Sequence, residues 1–414
     1  MNKVLIIGHG GREHALALKF SETCKVYAAP GNIGMKDVAT LVDIDENNFS
    51  ELISFARKES ISLTFVGPEV PLVNGIVDEF EKEGLTIFGP NKKAAQIEGS
   101  KDFAKKLMQK YDIPTSAHET FTEVNKAMDY IKNKPAPYVL KADGLAAGKG
   151  VVIAKNLSEA EIALKDMLKQ NKFGEAGAKV VIEDFLEGIE FSFMALVNGE
   201  KVYPLELAKD HKPAYDNDEG PNTGGMGAYS PVPQISEKTV KIAIAEILQK
   251  TANAMVKEGC PFKGILYAGL IDTKEGPKVI EFNARFGDPE TEVLLPRLES
   301  DLFGIINKIS SGEEVMLSWS SEVTLGVVLA SGGYPDKYET GIPIEIGNVE
   351  GVTIYHCGTS VHDDSLVAAG GRVLLVAAKE DSLEKAREKV YAEIKKIDFE
   401  GIHYRRDIGN LEVK

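Results

Sequence analysis

A short polar segment near residue 281 carries three side chains that could bind and transfer a phosphoryl group. Glu281, Asn283 and Arg285 occupy alternate positions of a predicted strand, and alternate strand side chains share a face. Val279 is expected to continue that face, while the apolar residues between them pack on the other side. Carboxylate and amide oxygens bind Mg²⁺, which completes its shell with phosphate, and arginine stabilises charge that develops during transfer. The spacing favours a nucleotide-phosphate site, with a solvated edge strand as the open alternative.

A glycine-rich loop follows Lys141 and leads directly into the apolar run 151–154. It is not a Walker A loop, because only three residues separate Gly144 from Gly148 and Gly150 stands where a metal-binding Ser or Thr belongs. The pattern predicts two strands joined by a flap that closes over phosphates, with the lysine as a point charge. A plain hairpin is the alternative, but glycine is costly to order without a reason.

An acidic linker joins two further predicted strands between residues 180 and 193. Glu183 and Glu190 flank this linker. Such a hinge can offer backbone groups to an adenine edge and carboxylates to an amino group and to ribose hydroxyls. An acidic surface turn explains the same residues equally well.

The first hundred residues contain the elements that must support these groups. Short apolar runs alternate with amphipathic segments, which predicts a parallel sheet flanked by helices. The predicted strands are 4–7, 26–29, 63–66 and 86–88, and the predicted helices are 49–58 and 72–82, with a further helix at 92–111.

Ligands bind such a sheet at the carboxyl ends of its strands, and a glycine turn follows the first strand. The third glycine of a dinucleotide fingerprint would fall at Glu13, so that fingerprint fails. Gly10 and Gly11 are expected to let backbone amides approach an anion at a helix start, with Arg12 adding charge. This turn is expected to need small residues and a positive φ. A purely structural turn remains open.

Composition narrows the class of partner. The 414 residues suggest two to four domains, and the net charge of -15 disfavours a nucleic-acid surface and favours small-molecule substrates. The three cysteines show no disulfide or zinc spacing, which fits a reducing cytoplasm. No apolar run of about 18 residues predicts a membrane span.

The last part of the chain shows no chemistry of its own. It has predicted strands at 324–330, 353–357 and 373–377 and an amphipathic segment at 382–397.

Three segments follow one another along the chain: Lys141 with its flap, the hinge 183–190 and the segment 281–285. This order resembles the ATP-grasp superfamily of carboxylate-amine ligases. More narrowly, segments 8–15, 141–150, 220–229 and 281–290 are similar to the phosphoribosylamine-glycine ligase family of purine synthesis. The resemblance covers nearly the whole chain. It implies an α/β protein with the ATP-grasp fold: an amino-terminal doubly wound, Rossmann-like parallel-sheet domain (1–100), an ATP-grasp domain (101–323) with a mobile lid (about 118–190), and a small β-rich carboxy-terminal domain (324–414).

The resemblance also implies roles for individual residues. Nucleotide contacts would come from Lys101, Lys141, Gly144, Gly148, Glu183, Leu186 and Glu190. Substrate contacts would come from Gly10, Gly11, Asn32, Asp210 and Asp288, with Asp216 and Asp218 as further candidates. Glu281 and Asn283 would bind the metal, and Arg285 would be catalytic. Many ATP-grasp enzymes carry an acid on the preceding strand, where Ala268 stands in this chain.

The implied reaction converts ATP, glycine and 5-phosphoribosylamine to glycinamide ribonucleotide, ADP and phosphate through glycyl phosphate, with Mg²⁺ or Mn²⁺. A cytoplasmic monomer or weak homodimer is expected, with no nucleic-acid or membrane partner. Three alternatives remain: a nicotinamide dehydrogenase built on the amino-terminal sheet, a non-catalytic nucleotide sensor, and a biotin-carboxylase-like activity within the same superfamily.

Overall fold

The computed structural model describes residues 1–145, 150–168 and 179–411. The first unit is a parallel sheet between helices. Its elements are β1 (Lys3–Gly8), α1 (Gly11–Ser21), β2 (Lys25–Pro30), β3 (Ala39–Leu41), α2 (Phe49–Glu59), β4 (Leu63–Val66), α3 (Glu69–Asn74), α4 (Ile76–Lys82) and β5 (Ile87–Phe88). The strand order is β3-β2-β1-β4-β5, and every neighbouring pair is parallel. The carboxyl ends of β1, β2 and β4 therefore meet at one edge, as predicted.

The four strands predicted in this unit are confirmed, whereas two predicted helices are broken. Gly75 divides the helix predicted over 72–82, because its φ of 95° ends α3. The helix predicted over 92–111 becomes α5 (Gln96–Gly99) and α6 (Lys101–Lys110). The serine between them caps α6 with its hydroxyl.

A smaller antiparallel unit lies within the range predicted as a lid. Its elements are β6 (His118–Phe121), α7 (Val124–Ile131), β7 (Tyr138–Ala142), β8 (Val151–Ala154), α8 (Leu157–Leu168) and β9 (Val180–Asp184), in strand order β6-β9-β7-β8. The antiparallel pair β7 and β8 confirms the predicted strand, loop and strand, although Gly148 lies outside the described residues. The unit has its own hydrophobic cluster around Leu140 and Leu164. A separate core suits a subdomain that moves as one body, and that motion stays a prediction.

The remaining chain builds one large antiparallel sheet with helices on it. Its elements are β10 (Ile189–Asn198), β11 (Lys201–Asp210), β12 (Pro213–Tyr215), β13 (Glu219–Asn222), β14 (Gly227–Ser230), α9 (Glu237–Ile242), α10 (Lys250–Lys257), β15 (Lys263–Thr273), β16 (Gly276–Asn283), α11 (Thr291–Leu294), α12 (Leu302–Ser310), β17 (Val323–Ala330), β18 (Ile342–Pro343), β19 (Glu345–Ile346), β20 (Thr353–His356), β21 (Thr359–His362), β22 (Ser365–Ala368), β23 (Arg372–Glu380), α13 (Leu383–Ile394) and β24 (Ile397–Asp398).

Eight of these strands are hydrogen-bonded in the order β16-β15-β10-β11-β14-β17-β23-β20. The strands predicted for the last part of the chain are confirmed, and β17, β23 and β20 extend the sheet begun by the preceding part. One hydrophobic cluster runs across both, and the domain boundaries drawn from the sequence stay a prediction. Within the described ranges, no helix is long and apolar enough to cross a membrane.

A β-bulge changes the expected alternation in β16. Leu270 of β15 pairs with Val279 and Gly269 pairs with Glu281, so Ile280 is left over in the ladder. Val279 is fully buried in the same cluster as Phe282. The prediction that Val279 shares the face of Glu281 is therefore wrong, because the extra residue resets the register. Ile280 lines the cavity described below instead of packing on the other side.

Candidate active site

A cavity of about 540 Å³ opens where the parallel sheet, the lid unit and the large sheet meet. This volume suits a nucleotide-sized ligand. Among the residues singled out from the sequence, it is lined by Gly10, Lys101, Lys141, Gly144, Glu183, Leu186, Glu190, Asp210, Glu281, Asn283, Arg285 and Asp288. The fold thus brings together side chains that lie far apart in the chain.

One end of the cavity, here the lysine end, is built from Lys101, Lys105, Lys141 and Glu183. The two carboxylate oxygens of Glu183 are divided between Lys141 Nζ at 2.9 Å and Lys105 Nζ at 2.8 Å, and all three side chains are buried. Burial acts to raise the pKa of Glu183, but the two lysine charges outweigh it and lower that pKa. Burial lowers the pKa of Lys105 to about 8.

The sequence reasoning missed Lys105. A usable signal was its spacing, because it lies one helical turn after Lys101 and shares that face of α6. Its ammonium group also donates to Thr115 Oγ1 at 2.7 Å and Ser116 Oγ at 3.0 Å. Ser116 Oγ in turn donates to Glu183 at 2.8 Å. The lysine end is therefore a connected network of ion pairs and hydrogen bonds and not a loose cluster of charges.

Lys101 and Lys141 tie this network to the neighbouring elements. Lys101 Nζ donates to the carbonyl of Gly144 at 3.1 Å, at the start of the flap. Burial is the main cause of its lowered pKa. Lys141 Nζ donates to the carbonyl of Ile280 at 2.8 Å, on the bulge of β16. The two ammonium groups thus lie between the flap and the candidate metal ligands.

Glu281 and Asn283, at the end of β16, suit a divalent cation. Burial acts to raise the pKa of Glu281, but the charges of Lys212, Lys141 and Lys101 outweigh it and hold the pKa at about 2. The carboxylate is therefore ionised, and Lys212 Nζ lies 3.5 Å from its Oε1. A carboxylate and an amide oxygen on one wall of a cavity form a fitting donor set for Mg²⁺ or Mn²⁺.

The neighbouring strand supplies no acid beside this pair. Gly269 is the strand partner of Glu281, and Ala268 pairs with Phe282. Counting along the sequence placed Ala268 where many ATP-grasp enzymes carry the acid. Because of the bulge, the residue that pairs with Glu281 is Gly269 instead. Neither residue can ligate a metal through a side chain, so Glu281 and Asn283 carry the candidate site on this sheet.

Arg285 lies just beyond β16 as a fixed charge. Its Nη2 is 3.0 Å from Glu98 Oε1, and its Nε is 3.4 Å from Glu69 Oε2. Glu98 also accepts the amide of Ala284 at 2.7 Å. Burial acts against the charge of Arg285, but Glu98 and Glu69 outweigh it and raise its pKa. The guanidinium is therefore held at one place on the cavity wall.

The opposite end, here the arginine end, is built from Arg12, Asp288 and Arg372. Asp288 Oδ2 accepts the amide of Arg12 at 3.3 Å, and Asp288 Oδ1 lies 3.0 Å from Arg372 Nη1. Burial acts to raise the pKa of Asp288, but Arg372 and Arg12 outweigh it and lower that pKa. Arg372 comes from the last part of the chain and was missed. A glycine pair precedes it just as Gly10 and Gly11 precede Arg12, and that likeness was the available signal.

The glycine turn after β1 differs from the prediction in two ways. Gly10 has a φ of -85°, whereas the positive φ of 118° belongs to Gly8. The amide of Gly10 donates to Glu13 Oε2 at 2.6 Å. The donors at the start of α1 therefore face the carboxylates of Glu13 and Asp288 in this structure. That arrangement suits a hydroxyl or amino group better than a dianion.

Four other candidates from the sequence do not line the cavity. A side chain on Gly11 would meet Glu292 Oε1 at 2.5 Å and Cys357 Sγ at 2.7 Å, so this glycine permits a packing contact. Asn32 is used structurally: its amide group donates to two backbone carbonyls and its oxygen accepts a backbone amide. Asp216 and Asp218 bind the backbone of Arg406 and the side chain of Arg405.

Asp210 and Lys212 form the floor between the two ends. Burial raises the pKa of Asp210 to about 7. The pKa of Lys212 is raised: burial opposes its charge, but Asp210 and Glu281 outweigh burial. Nearby, Glu290 is buried and accepts from Tyr267 at 2.6 Å and from Ser192 at 2.8 Å. The floor can therefore bind an ammonium group.

The fold and the site together define an ATP-grasp enzyme. The same fold occurs in the biotin carboxylase domain of Hydrogenobacter thermophilus 2-oxoglutarate carboxylase, solved with MgADP, at a TM-score of 0.74 and 16% identity over 97% of this chain and 91% of that one. Three models of the phosphoribosylglycinamide synthetase family match the chain: the N domain at residues 2–98, the ATP-grasp (A) domain at 99–291 and the C domain at 324–411. The chain belongs to this family.

Individual relatives agree with the family models. The chain is 55% identical to the phosphoribosylamine–glycine ligase of Halalkalibacterium halodurans, over 99% of this chain and 97% of that protein. It is 54% identical to the ligase of the same name from Listeria innocua, over 98% and 99%. The crystal structure of the Thermotoga maritima phosphoribosylamine–glycine ligase matches with a TM-score of 0.85 and 36% identity, over 98% of this chain and 100% of that one.

Proposed function

We propose that the chain joins glycine to 5-phosphoribosylamine at the expense of ATP, giving glycinamide ribonucleotide, ADP and phosphate in de novo purine biosynthesis. The observation that carries this proposal is one cavity that contains both ends. Buried lysines and the Glu281–Asn283 pair lie at the lysine end, and Asp288 lies at the arginine end. The relatives that share more than half of the sequence carry the name of this ligase.

In the proposed reaction, an oxygen of the glycine carboxylate attacks the γ-phosphorus of ATP, and the bond to ADP breaks. The amine of phosphoribosylamine then attacks the acyl carbon of glycyl phosphate, loses a proton and displaces phosphate. No covalent bond to the protein is needed. Catalysis consists of alignment and charge neutralisation, to which Arg285 contributes a charge already fixed by two glutamates.

The lysine end is assigned to the nucleotide. Lys101 and Lys141 would neutralise its phosphates, and the hinge that includes Leu186 and Glu190 would meet its base and ribose. Glu183, which the sequence assigned to adenine, also fixes Lys141 through a buried ion pair. Glu281 and Asn283 would hold Mg²⁺ or Mn²⁺, which when bound neutralises phosphate charge.

The two other substrates are assigned to the floor and the arginine end. Asp210 would meet the ammonium group of glycine, and Gly10 and Asp288 would meet phosphoribosylamine. The lid's closure over ATP, the cytoplasmic location and the monomeric or weakly dimeric state stay predictions.

The test is the release of ADP by purified protein with MgATP, glycine and freshly made phosphoribosylamine. ADP should form only when both substrates are present, and the amide product should form in equal amount. Three controls address the alternatives: bicarbonate with biotin in place of the two substrates, NADH titration followed by fluorescence, and the Glu281→Ala variant. ADP release that ignores glycine, or that follows bicarbonate and biotin, would refute the proposal.

A further inference from the structure

The last part of the chain contributes two side chains to the cavity. Arg372 begins β23, and Tyr334 lies in the segment after β17. The Arg372 side chain is 20% exposed. Both residues line the same cavity as Gly10 and Glu281, and neither has a place in the nucleotide assignment.

Arg372 is anchored through one nitrogen only. Its Nη1 donates to the carbonyls of Gly224 and Asp288, each at 2.9 Å, and pairs with Asp288 Oδ1 at 3.0 Å. Nε and Nη2 make no hydrogen bond to any residue that the structure describes. Neither atom is fully buried, so both can reach a ligand in the cavity. The guanidinium is thus held at one corner, and its Nε–Nη2 edge keeps the donor pair that binds a phosphate with two parallel hydrogen bonds.

Tyr334 adds a third donor near Arg372, because Gly224 contacts both side chains. Its hydroxyl oxygen accepts the amide of Gly224 at 3.1 Å, so the hydroxyl hydrogen is left to donate elsewhere. Gly224 also lies against the guanidinium: a side chain there would come within 3.0 Å of Arg372 Cζ. The Gly224 backbone therefore holds both side chains in one place.

The other cations of this region are already engaged by acceptors. Arg12 donates to Glu13 at 2.5 Å and to the carbonyl of Phe286 at 3.2 Å, and Arg285 is held by two glutamates. The amides at the start of α1 face carboxylates. A phosphate dianion placed at that turn would meet the charges of Glu13 and Asp288, whereas at Arg372 the charge of Asp288 is already paired with Nη1 and the Nε–Nη2 edge offers free donors.

We propose that Arg372, with Tyr334, binds the 5-phosphate of phosphoribosylamine, and that the glycine turn after β1 contacts the sugar. This proposal rests on the proposed function. It places the sugar phosphate on the last part of the chain and not at Gly10 and Gly11, where an anion was expected from the sequence.

The probe is ribose 5-phosphate, a stable molecule with the same sugar phosphate, titrated into the full chain by calorimetry. Ribose, which lacks the phosphate, and MgATP are titrated separately for comparison. For Arg372→Gln we expect about 10- to 100-fold weaker binding of ribose 5-phosphate, because charged hydrogen bonds are lost. The Kd for MgATP should stay within about twofold. Tyr334→Phe should weaken the binding of ribose 5-phosphate less than Arg372→Gln does. Arg57→Gln, at an exposed ion pair outside the cavity lining, is the matched control and should change neither affinity.

Several results would overturn the proposal: wild-type protein that does not bind ribose 5-phosphate at millimolar concentration, Arg372→Gln that binds it as well as wild type, or an equal loss of MgATP affinity. A rise in the KM for glycine without a rise for phosphoribosylamine would point to glycyl phosphate and also overturn it. If Arg372→Gln does not fold, Arg372→Lys and Tyr334→Phe decide by the same criteria. A selective loss of ribose 5-phosphate binding in a chain that forms no glycine-dependent ADP would keep the phosphate site and refute the proposed function.

Discussion

The two ends of the cavity handle charge in opposite ways. At the lysine end, Lys105 and Lys141 share one carboxylate, that of Glu183, so positive charge is in excess. At the arginine end, Asp288 is held between Arg372 and the backbone of Arg12, and Glu13 accepts a hydrogen bond from the side chain of Arg12. The first end is therefore prepared for a polyanion. The second is nearly neutral and selects its ligand through the direction of a few hydrogen bonds.

The largest effect should come from removing the metal ligands beside the lysine end. Glu281→Ala or Asn283→Ala should lower kcat at least about 100-fold at saturating Mg²⁺, because a lost ligand misplaces the γ-phosphate. The melting temperature should change little. Glu275→Gln, at an exposed residue in the turn directly before β16, is the control and should be fully active. Near-wild-type turnover in both ligand variants would remove the metal site from the account.

A neighbouring pair of lysines tests whether the network at the lysine end is structural as well as functional. Lys105→Met breaks a buried ion pair and should lower the free energy of unfolding by about 3 kcal/mol, together with the affinity for MgATP. Lys106→Met, at the next residue, removes an ammonium group whose side chain is 70% exposed and should cost less than about 1 kcal/mol. Urea denaturation and nucleotide titration measure both quantities. Equal effects in the two variants would contradict the assigned network.

Two adjacent glycines make the same distinction at the arginine end. Gly11→Val drives a side chain against Glu292 and Cys357 and should lower the free energy of unfolding by about 1–3 kcal/mol. In Gly10→Val the nearest atom is Glu13 Oε2 at 2.9 Å, at the end of a side chain and not part of the backbone. We expect this variant to raise the KM for phosphoribosylamine about tenfold, with little change in melting temperature or ATP affinity. Loss of ATP affinity in Gly10→Val would refute the division between the two ends.

The smallest effect concerns Asp210, which lies between the ends. Its pKa is raised to about 7 by burial, so the carboxylate is charged above that pH and neutral below it. If it binds the glycine ammonium, the KM for glycine should rise as the pH falls below about 7, by at most about tenfold per pH unit. Asp210→Asn should have a higher KM without this dependence. Identical pH profiles of the KM in variant and wild type would remove Asp210 from the glycine site.

The lysine end was predictable in most of its parts because its residues lie in recognisable local patterns. Lys141 comes before a glycine loop, and Glu183 flanks an acidic hinge between two strands. Lys105 escaped because an isolated helical lysine is usually solvated, and only the fold shows that it is buried. The bulge at Ile280 escaped for a related reason: it depends on pairing with another strand, which alternation within one strand cannot report.

The arginine end was less predictable because long-range contacts build it. Asp288 joins the amide of Arg12 and the side chain of Arg372, and those residues lie in the first and the last parts of the chain. Asn32 and Gly11 carry the right residue types at the right strand ends, yet their groups are used in packing and backbone hydrogen bonds. Residue type and strand end therefore identify the neighbourhood of the site, and only tertiary contacts identify its members.

The most direct test of the account follows the oxygen atoms of glycine. Glycine labelled with ¹⁸O in both carboxylate positions is turned over with MgATP and phosphoribosylamine, and the released phosphate and the amide product are examined by mass spectrometry. Attack of the carboxylate on the γ-phosphorus predicts that one labelled oxygen leaves with each phosphate and one stays in the product amide. Phosphate without label, formed together with the amide product, would show that the carboxylate is not activated by phosphoryl transfer and would contradict the account.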